Sequence, residues 1–179
     1  MLPEGFSYRQ FELKDVPPMI AMEEICFPPN ERATPEKVLL NTLIMLTQIN
    51  YRVGTCPEMS LGIFRDDQII GMIHGTRTSD SCASDKSMAV GSHEPDGPTA
   101  VLHTLCVHPD WRLQGFGTAI VKEYFVRVRR LGGVERVALI AHDDLVPFYE
   151  RYSQARMLIQ SRICKLRTQQ ESFRRNKME

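Results

Sequence analysis

The sequence predicts a single α/β (α+β) domain in which a mixed central sheet is flanked by helices. Three observations predict it. Hydrophobic residues make up 42 % and charged residues 25 % of 179 residues, ordinary values for a chain that buries one sizeable core. Apolar spacing switches repeatedly between a period of two and a period of 3.6. No internal repeat or second composition zone divides the chain.

The elements follow in the order β α α β β β α β α. Phe6 to Glu12 alternates apolar and polar residues and reads as a strand. Asp15 reads as the cap of a helix to about Cys26, with Pro17 and Pro18 in its first turn and Ile20, Met22 and Ile25 available for burial. FPPNERATPE is a loop that ends with Thr34 as N-cap and Pro35 at the first helical position. A helix over about 36–51 presents Val38, Leu39, Leu43, Met45, Leu46 and Ile49 as a broad apolar face. Glu58 to Phe64 and Ile69 to Gly75 form a hairpin around the polar turn at 65–68. Ser79 to Pro98 is a long polar loop, which in a compact domain is functional or mobile. Thr99 to Val107 suits a central strand. Gly117 to Leu131 is an amphipathic helix stopped by Gly132-Gly133. Arg136 to Ala141 is a buried strand, and Leu145 to Tyr152 a short helix capped by Asp143 or Asp144.

Charge and targeting signals narrow the function classes. Twenty-two basic and twenty-two acidic residues balance to zero, which speaks against a dedicated nucleic-acid binder. The most apolar stretch, Val38 to Ile49, is too short and polar to span a membrane. MLPEGFSYRQ shows no signal-peptide pattern, so a cytoplasmic protein is expected. The five cysteines are spread without zinc-type spacing and read as reduced thiols; no metal is expected. Residues 162–179 carry six basic and two acidic residues, a balance of +4, so 1–161 carry −4. That tail reads as a solvated segment.

The chemistry-bearing segment is Leu102 to Tyr124, LHTLCVHPDWRLQGFGTAIVKEY. A buried strand runs through Val107-His108-Pro109 into Arg112-x-x-Gly115-x-Gly117 and then a helix. Glycines between strand and helix let backbone amides approach a ligand, and the helix N-terminus favours a phosphate. Two glycines make neither a dinucleotide fingerprint nor a P-loop.

This segment resembles the GCN5-related N-acetyltransferases (GNAT), whose acetyl-coenzyme A motif is R/Q-x-x-G-x-G/A. Three further stretches resemble the arylalkylamine (serotonin) N-acetyltransferases, in order and at family-like spacing: Cys56-Pro-Glu-Met-Ser-Leu-Gly-Ile-Phe64, Leu102-His103-Thr-Leu-Cys-Val-His108, and Ala138-Leu-Ile-Ala-His-Asp-Asp-Leu-Val-Pro-Phe-Tyr-Glu-Arg151. The resemblance covers about 6–152 and implies a GNAT fold with acetyl-coenzyme A as co-substrate. It implies that amides of Leu113, Gln114, Gly115, Phe116, Gly117 and Thr118, beside Arg112, hold the pyrophosphate. The backbone of Leu105, Cys106 and Val107 would pair with the pantetheine arm. It further implies a small-molecule amine acceptor lined by Phe27, Pro28, Leu105 and Ile140.

Amine acetylation requires a base, because an alkylammonium has no lone pair at neutral pH. His is the side chain whose free pKa lies nearest neutrality. His103 matches the family's catalytic His, and Tyr149 its tyrosine acid, which protonates the leaving thiolate. A backbone N–H near Leu105 is a candidate oxyanion donor. Cys106 reads as a small core hydrophobe rather than a nucleophile. His108 is expected to shape its turn, and His142, in place of a family acidic residue, to be exposed.

The sequence departs from the family twice. The vertebrate-type H-x-H has Val101 at its first position, so only His103 remains. After Tyr152, no Gly-Phe and no pair of alternating strands follows; Leu158, Ile159, Arg162, Ile163 and Leu166 fit a helix at least as well. The expectation is an acetyltransferase domain over 1–152 with its last strands missing or replaced, and a divergent basic tail over 153–179. The fifth strand would then have a bare edge, a cause of instability. Alternative readings are a polyamine acetyltransferase, favoured by acidic residues such as Glu23, Glu24 and Glu31 at the acceptor mouth, and an acyl-coenzyme A-binding chain with little turnover. The sequence specifies no oligomeric state.

Overall fold

The computed structural model describes residues 2–27, 35–141, 145–153 and 160–163. Its strands are β1 (Phe6–Arg9), β2 (Ser60–Arg65), β3 (Gln68–Thr78), β4 (Thr99–Val107), β5 (Arg136–Leu139) and β6 (Gln160–Ile163). The helices are α1 (Val16–Cys26), α2 (Pro35–Thr55), the short α3 (Asp85–Met88), α4 (Phe116–Arg130) and α5 (Val146–Ser153). The strands lie side by side in sequence order. β1 to β4 form an antiparallel meander, and β4, β5 and β6 run parallel.

The sheet has an apolar core on each face. Against α4 lie Leu61, Ile63, Ile70, Ile73, Ala100 and Leu102, facing Ile120, Tyr124 and Val128. On the other face Met72, Phe64 and Cys106 meet Val16, Met19, Met22, Ile49 and Val53 of α1 and α2. Two-sided burial explains why β3 reads as a nearly continuous apolar run rather than an alternating one.

Several elements differ from the sequence reading, each for a local reason. β1 stops at Arg9, where the chain turns to pair Arg9 with Asp15. Asp15 does not cap α1 through its side chain; its carboxylate accepts from the Glu12 amide and from both Arg9 guanidinium nitrogens. The buried stripe of α1 is Val16, Met19, Met22 and Glu23, whereas Ile25 is 54 % exposed. Leu43 and Leu46 of α2 are exposed too, and α2 meets the core through Ile49 and Val53. The 79–98 loop is tied down: Arg77 Nε donates to Gly97 O at 2.8 Å, Glu94 N to Arg77 O at 3.0 Å and His93 N to the Tyr51 hydroxyl at 2.9 Å. Thr34, Asp143 and Asp144 lie outside the described residues.

The largest difference is at the C-terminal edge. Residues 160–163 form a strand rather than helix, and β6 covers β5 over the register from Arg136↔Gln160 to Leu139↔Ile163. The edge of β5 is therefore not bare, and the sheet continues past Tyr152.

The feature that positions the site is the partial pairing of β4 with β5. Only Thr99 to Leu102 pair with β5, opposite Arg136 to Leu139. From His103 onward β4 continues with β3 alone. A parallel pair that separates midway leaves backbone donors and acceptors on the open side of β4 without a sheet partner.

Candidate active site

At the C-terminal end of β4 the chain enters the glycine turn. His108 shapes it as expected: Nδ1 accepts from Asp110 N at 3.4 Å. Arg112 Nε donates to Val107 O at 3.1 Å and Gln114 Nε2 to Asp110 O at 3.0 Å, which fixes the loop on itself. Leu113 (φ 60°) and Gly115 (φ 87°) are both left-handed, and Gly115 is the N-cap of α4 without a side-chain cap. Glycine carries that conformation without strain; leucine does not. The first helical bond runs from Ala119 N to Gly115 O, and no described hydrogen bond engages the amides of residues 113–118. These amides stand at the positive end of a 15-residue helix. The six positions named for the pyrophosphate thus carry donors without a partner among the described residues, and they fit an anionic coenzyme. Of the pantetheine strand, Val107 departs from expectation: its carbonyl is taken by Arg112 and by the Cys26 thiol at 3.4 Å. Cys106 is buried, and Cys26 beside it and burial raise its thiol pKa well above the ordinary value, which suits a core hydrophobe.

His103 sits at the point of separation. Thr104 lies opposite His74 and Leu102 opposite Gly75, so His103 is the extra residue of a β-bulge. The opposing strand comes very close there: a Cβ built on Gly75 would lie 2.3 Å from Val101 O. A bulge re-aims the extra side chain, and His103 reaches Thr76 Oγ1 at 2.8 Å through Nε2. Thr76 has one hydroxyl hydrogen, which it donates to Ser87 O at 3.3 Å. Both bonds form at once only if His103 Nε2 carries the proton. Nδ1 then holds a bare lone pair, and that buried nitrogen has no partner among the described residues. Burial, with Arg52 and His74 adding to it, pushes the imidazole down to about 2, so His103 is neutral in the free protein.

Beside His103 lies a buried polar cluster that sequence reasoning passed over. Glu23 Oε1 accepts from Thr104 Oγ1 at 2.8 Å and from His74 Nε2 at 3.2 Å. Burial pushes the Glu23 carboxyl up, but His74, Thr104 and Arg52 outweigh it and hold it below the usual carboxylate value. Burial drives His74 down against the pull of Glu23, so the pair is a carboxylate beside a neutral imidazole. Arg52 donates to Met88 O at 3.0 Å and supplies the compensating charge. The signal for Glu23 was its place four residues after Met19, on the apolar stripe of α1. For His74 it was a lone imidazole directly after the apolar run Ile69-Ile-Gly-Met-Ile73.

Tyr149, on α5, packs against the α4-side core and edge-on to Phe148. Burial first, and then Cys106, push its phenol up to about 12, so it holds its proton and can donate it. Leu105 is half-buried against the same core. Ile140 is half-buried just past the end of β5, beyond the last β4–β5 rung. Phe27, at the end of α1, is 40 % exposed rather than core. Pro28 and His142 lie outside the described residues. Among the described residues no three His, Cys, Asp or Glu side chains are grouped to hold a metal ion, and no helix is long and apolar enough to cross a membrane.

A strand that leaves its parallel neighbour beside an anion-ready helix terminus agrees with the acetyltransferase fold that the sequence motifs imply. The chain belongs to the acetyltransferase (GNAT) family, whose sequence model matches residues 19–153. It is 34 % identical to the serotonin N-acetyltransferase of Mesocricetus auratus over 109 residues, 61 % of this chain and 52 % of that protein. It is 34 % identical to the Homo sapiens serotonin N-acetyltransferase over 110 residues, 62 % of this chain and 52 % of that protein. The chain thus spans about half the length of the curated relatives it matches. Among solved structures, the loading GNATL domain of CurA from Lyngbya majuscula superposes with a TM-score of 0.63 at 19 % identity, covering 85 % of this chain and 70 % of that one. A GNAT acetyltransferase from Brucella melitensis in complex with acetyl-CoA gives 0.58 at 18 %, covering 82 % and 80 %. At such identities these structures speak for the fold.

Proposed function

We propose that this chain transfers the acetyl group of acetyl-coenzyme A to the primary amine of an arylalkylamine of the tryptamine or serotonin kind. The observation that carries the reading is the separation of β4 from β5 at His103, directly upstream of the amides at 113–118. The amides of Leu113 to Thr118 bind the coenzyme's pyrophosphate, with α4's dipole behind them. The open edge of β4 at Leu105 orients the pantetheine arm, whereas the backbone of Cys106 turns toward Met72 of β3. Acetyl-coenzyme A supplies a thioester carbonyl that an uncharged amine attacks.

His103 Nδ1 takes one ammonium proton, freeing the nitrogen lone pair. The C–N bond forms as the C–S bond breaks; the Tyr149 hydroxyl gives its proton to the leaving sulfur, and the second proton shed by the acetylated nitrogen restores the phenol. A backbone N–H near Leu105 steadies the carbonyl oxygen as it gains charge. Phe27, Leu105 and Ile140 give the acceptor side an apolar lining that suits an aromatic ring. Glu23 is turned inward to His74 and Thr104, so it does not offer a polyamine a surface carboxylate.

The test is coenzyme A release by the purified chain given acetyl-coenzyme A with tryptamine or with spermidine, beside His103→Ala. Release with tryptamine that falls in the variant supports the reading. Release with spermidine alone moves the acceptor to polyamines. Coenzyme binding without release makes the chain an acyl-coenzyme A-binding protein.

A further inference from the structure

The buried cluster around His103 contains a second imidazole in the same chemical state. His74 Nε2 donates to Glu23 Oε1 at 3.2 Å, because a carboxylate can only accept. Its Nδ1 is therefore the bare nitrogen, and it too is buried without a partner among the described residues. The register brings the two rings together: Thr104 is opposite His74, and His103 is the bulged residue between the His74 and Gly75 rungs. His103 is bonded to Thr76, two residues beyond His74 on the same face of β3. Both rings thus hold a buried lone pair that lacks a donor, and neither Nδ1 is within hydrogen-bond distance of the other. Leaving a buried acceptor unmet costs about 1–3 kcal/mol, so a donor that both can reach is held strongly.

We propose that His74, its Nε2–H fixed on Glu23, is a second proton-handling imidazole of this site: its bare Nδ1 shares, through a donor placed between the two rings, the proton that His103 receives from the acceptor ammonium. The inference rests on the acetyl-transfer reading above. The proton count closes. One proton enters His74 at Nδ1 and the same proton leaves from Nδ1, so the imidazole starts and ends neutral with Nε2–H on Glu23, which stays a carboxylate. That proton returns to solvent between turnovers. The charged and titratable groups facing His74 are Glu23 on α1, Arg52 on α2 and His103 on β4. Arg52 disfavours a lasting imidazolium at either ring, so the proton does not rest on His103 or His74. Val101, at the position of the absent first histidine of H-x-H, is fully buried and offers no proton path, which leaves His74 as the second ring.

The experiment uses the full chain, with His74→Asn and Glu23→Gln made alone and with His103→Ala. His74→Asn is expected to lower kcat with tryptamine about 10-fold, as loss of a supporting partner does. It should shift the pH profile of kcat and leave acetyl-coenzyme A affinity unchanged. In the His103→Ala background it should cause no further loss. A kcat within about 2-fold of wild type, with His103→Ala inactive, overturns the relay while leaving the base assignment standing. Wild-type activity in His103→Ala overturns the base assignment and the relay with it. Imidazole 15N NMR of the unmutated protein gives an answer that needs no variant to fold. Both rings should be Nε2–H tautomers, and His74 Nδ1 should move when tryptamine is added. A His74 Nδ1–H tautomer, or a resonance indifferent to amine, overturns the proposal.

Discussion

Leu102 and Leu139 form the last rung between β4 and β5, and His103 is the first residue beyond it. The proposed base therefore stands at the fork where the parallel sheet opens, and the amide-lined turn lies downstream on the same strand. One local event in the sheet, a bulge beside a separation, places both parts of the chemistry.

The turn depends on Gly115, whose φ of 87° an L side chain adopts at a cost of about 1–2 kcal/mol. Nothing lies within 4 Å of a Cβ built there, so Gly115→Ala strains the backbone without a clash. The chain should fold with a slightly lowered Tm and bind acetyl-coenzyme A several-fold more weakly, because relaxation of the turn re-aims the amides. Calorimetric titration beside thermal melting separates the two effects.

His103 is neutral in the free protein, since its pKa is pushed down to about 2. The pH profile of kcat/KM reports groups of the free enzyme and free substrate. It should show no rising limb near the ordinary histidine pKa of about 6.5. Activity should instead stay level through the neutral range, where the amine is the ammonium that the already neutral His103 deprotonates. A limb near 6.5 that disappears in His103→Gln would contradict the burial of this ring.

Sequence and structure agree where local pattern and local packing coincide. Arg112-x-x-Gly115-x-Gly117 followed by Ile120, Tyr124 and Val128 displayed turn and helix because one helix face meets one sheet. The α1 stripe was misjudged at Ile25, since Val16, Met19 and Met22 set the buried phase and leave Ile25 facing outward. β6 was missed because Gln160 to Ile163 shows no alternation, and its partner β5 is remote in sequence. Glu23 with His74 escaped notice for a similar reason. Their bond joins residues 51 apart, and nothing in either segment names the other.

Tyr124 is wholly buried with its hydroxyl unpartnered among the described residues, and burial first, then Cys56 and Glu58, push its phenol far up. Removing an unsatisfied hydroxyl of unchanged ring shape recovers part of a desolvation cost of about 1–3 kcal/mol. Tyr124→Phe should hold or raise Tm. A clear fall in Tm would mean that the hydroxyl makes a bond important to the core.

Asp15 joins β1 to the start of α1 through two short bonds to Arg9, 2.6 and 2.8 Å. The Arg9 hydrogen bond, outweighing burial, holds the Asp15 carboxyl below the usual carboxylate value. A lowered carboxylate pKa stabilises the fold above the unfolded-state pKa, and the gain fades as pH falls through the folded value. Asp15→Asn should therefore cost about 1–3 kcal/mol at neutral pH. Denaturant melts at pH 7 and near pH 3 should show the difference between the two proteins shrinking in acid.

The central claim is that the fork at His103 and the turn at 113–118 form one acyl-coenzyme A cleft. Backbone amide shifts of the 15N-labelled chain on titration with acetyl-coenzyme A test it most directly. The account predicts the largest changes at residues 103–107 and 113–118, with the far strands β1 and β2 unmoved. Saturable binding with its shifts centred elsewhere, or no binding at millimolar coenzyme, would contradict it.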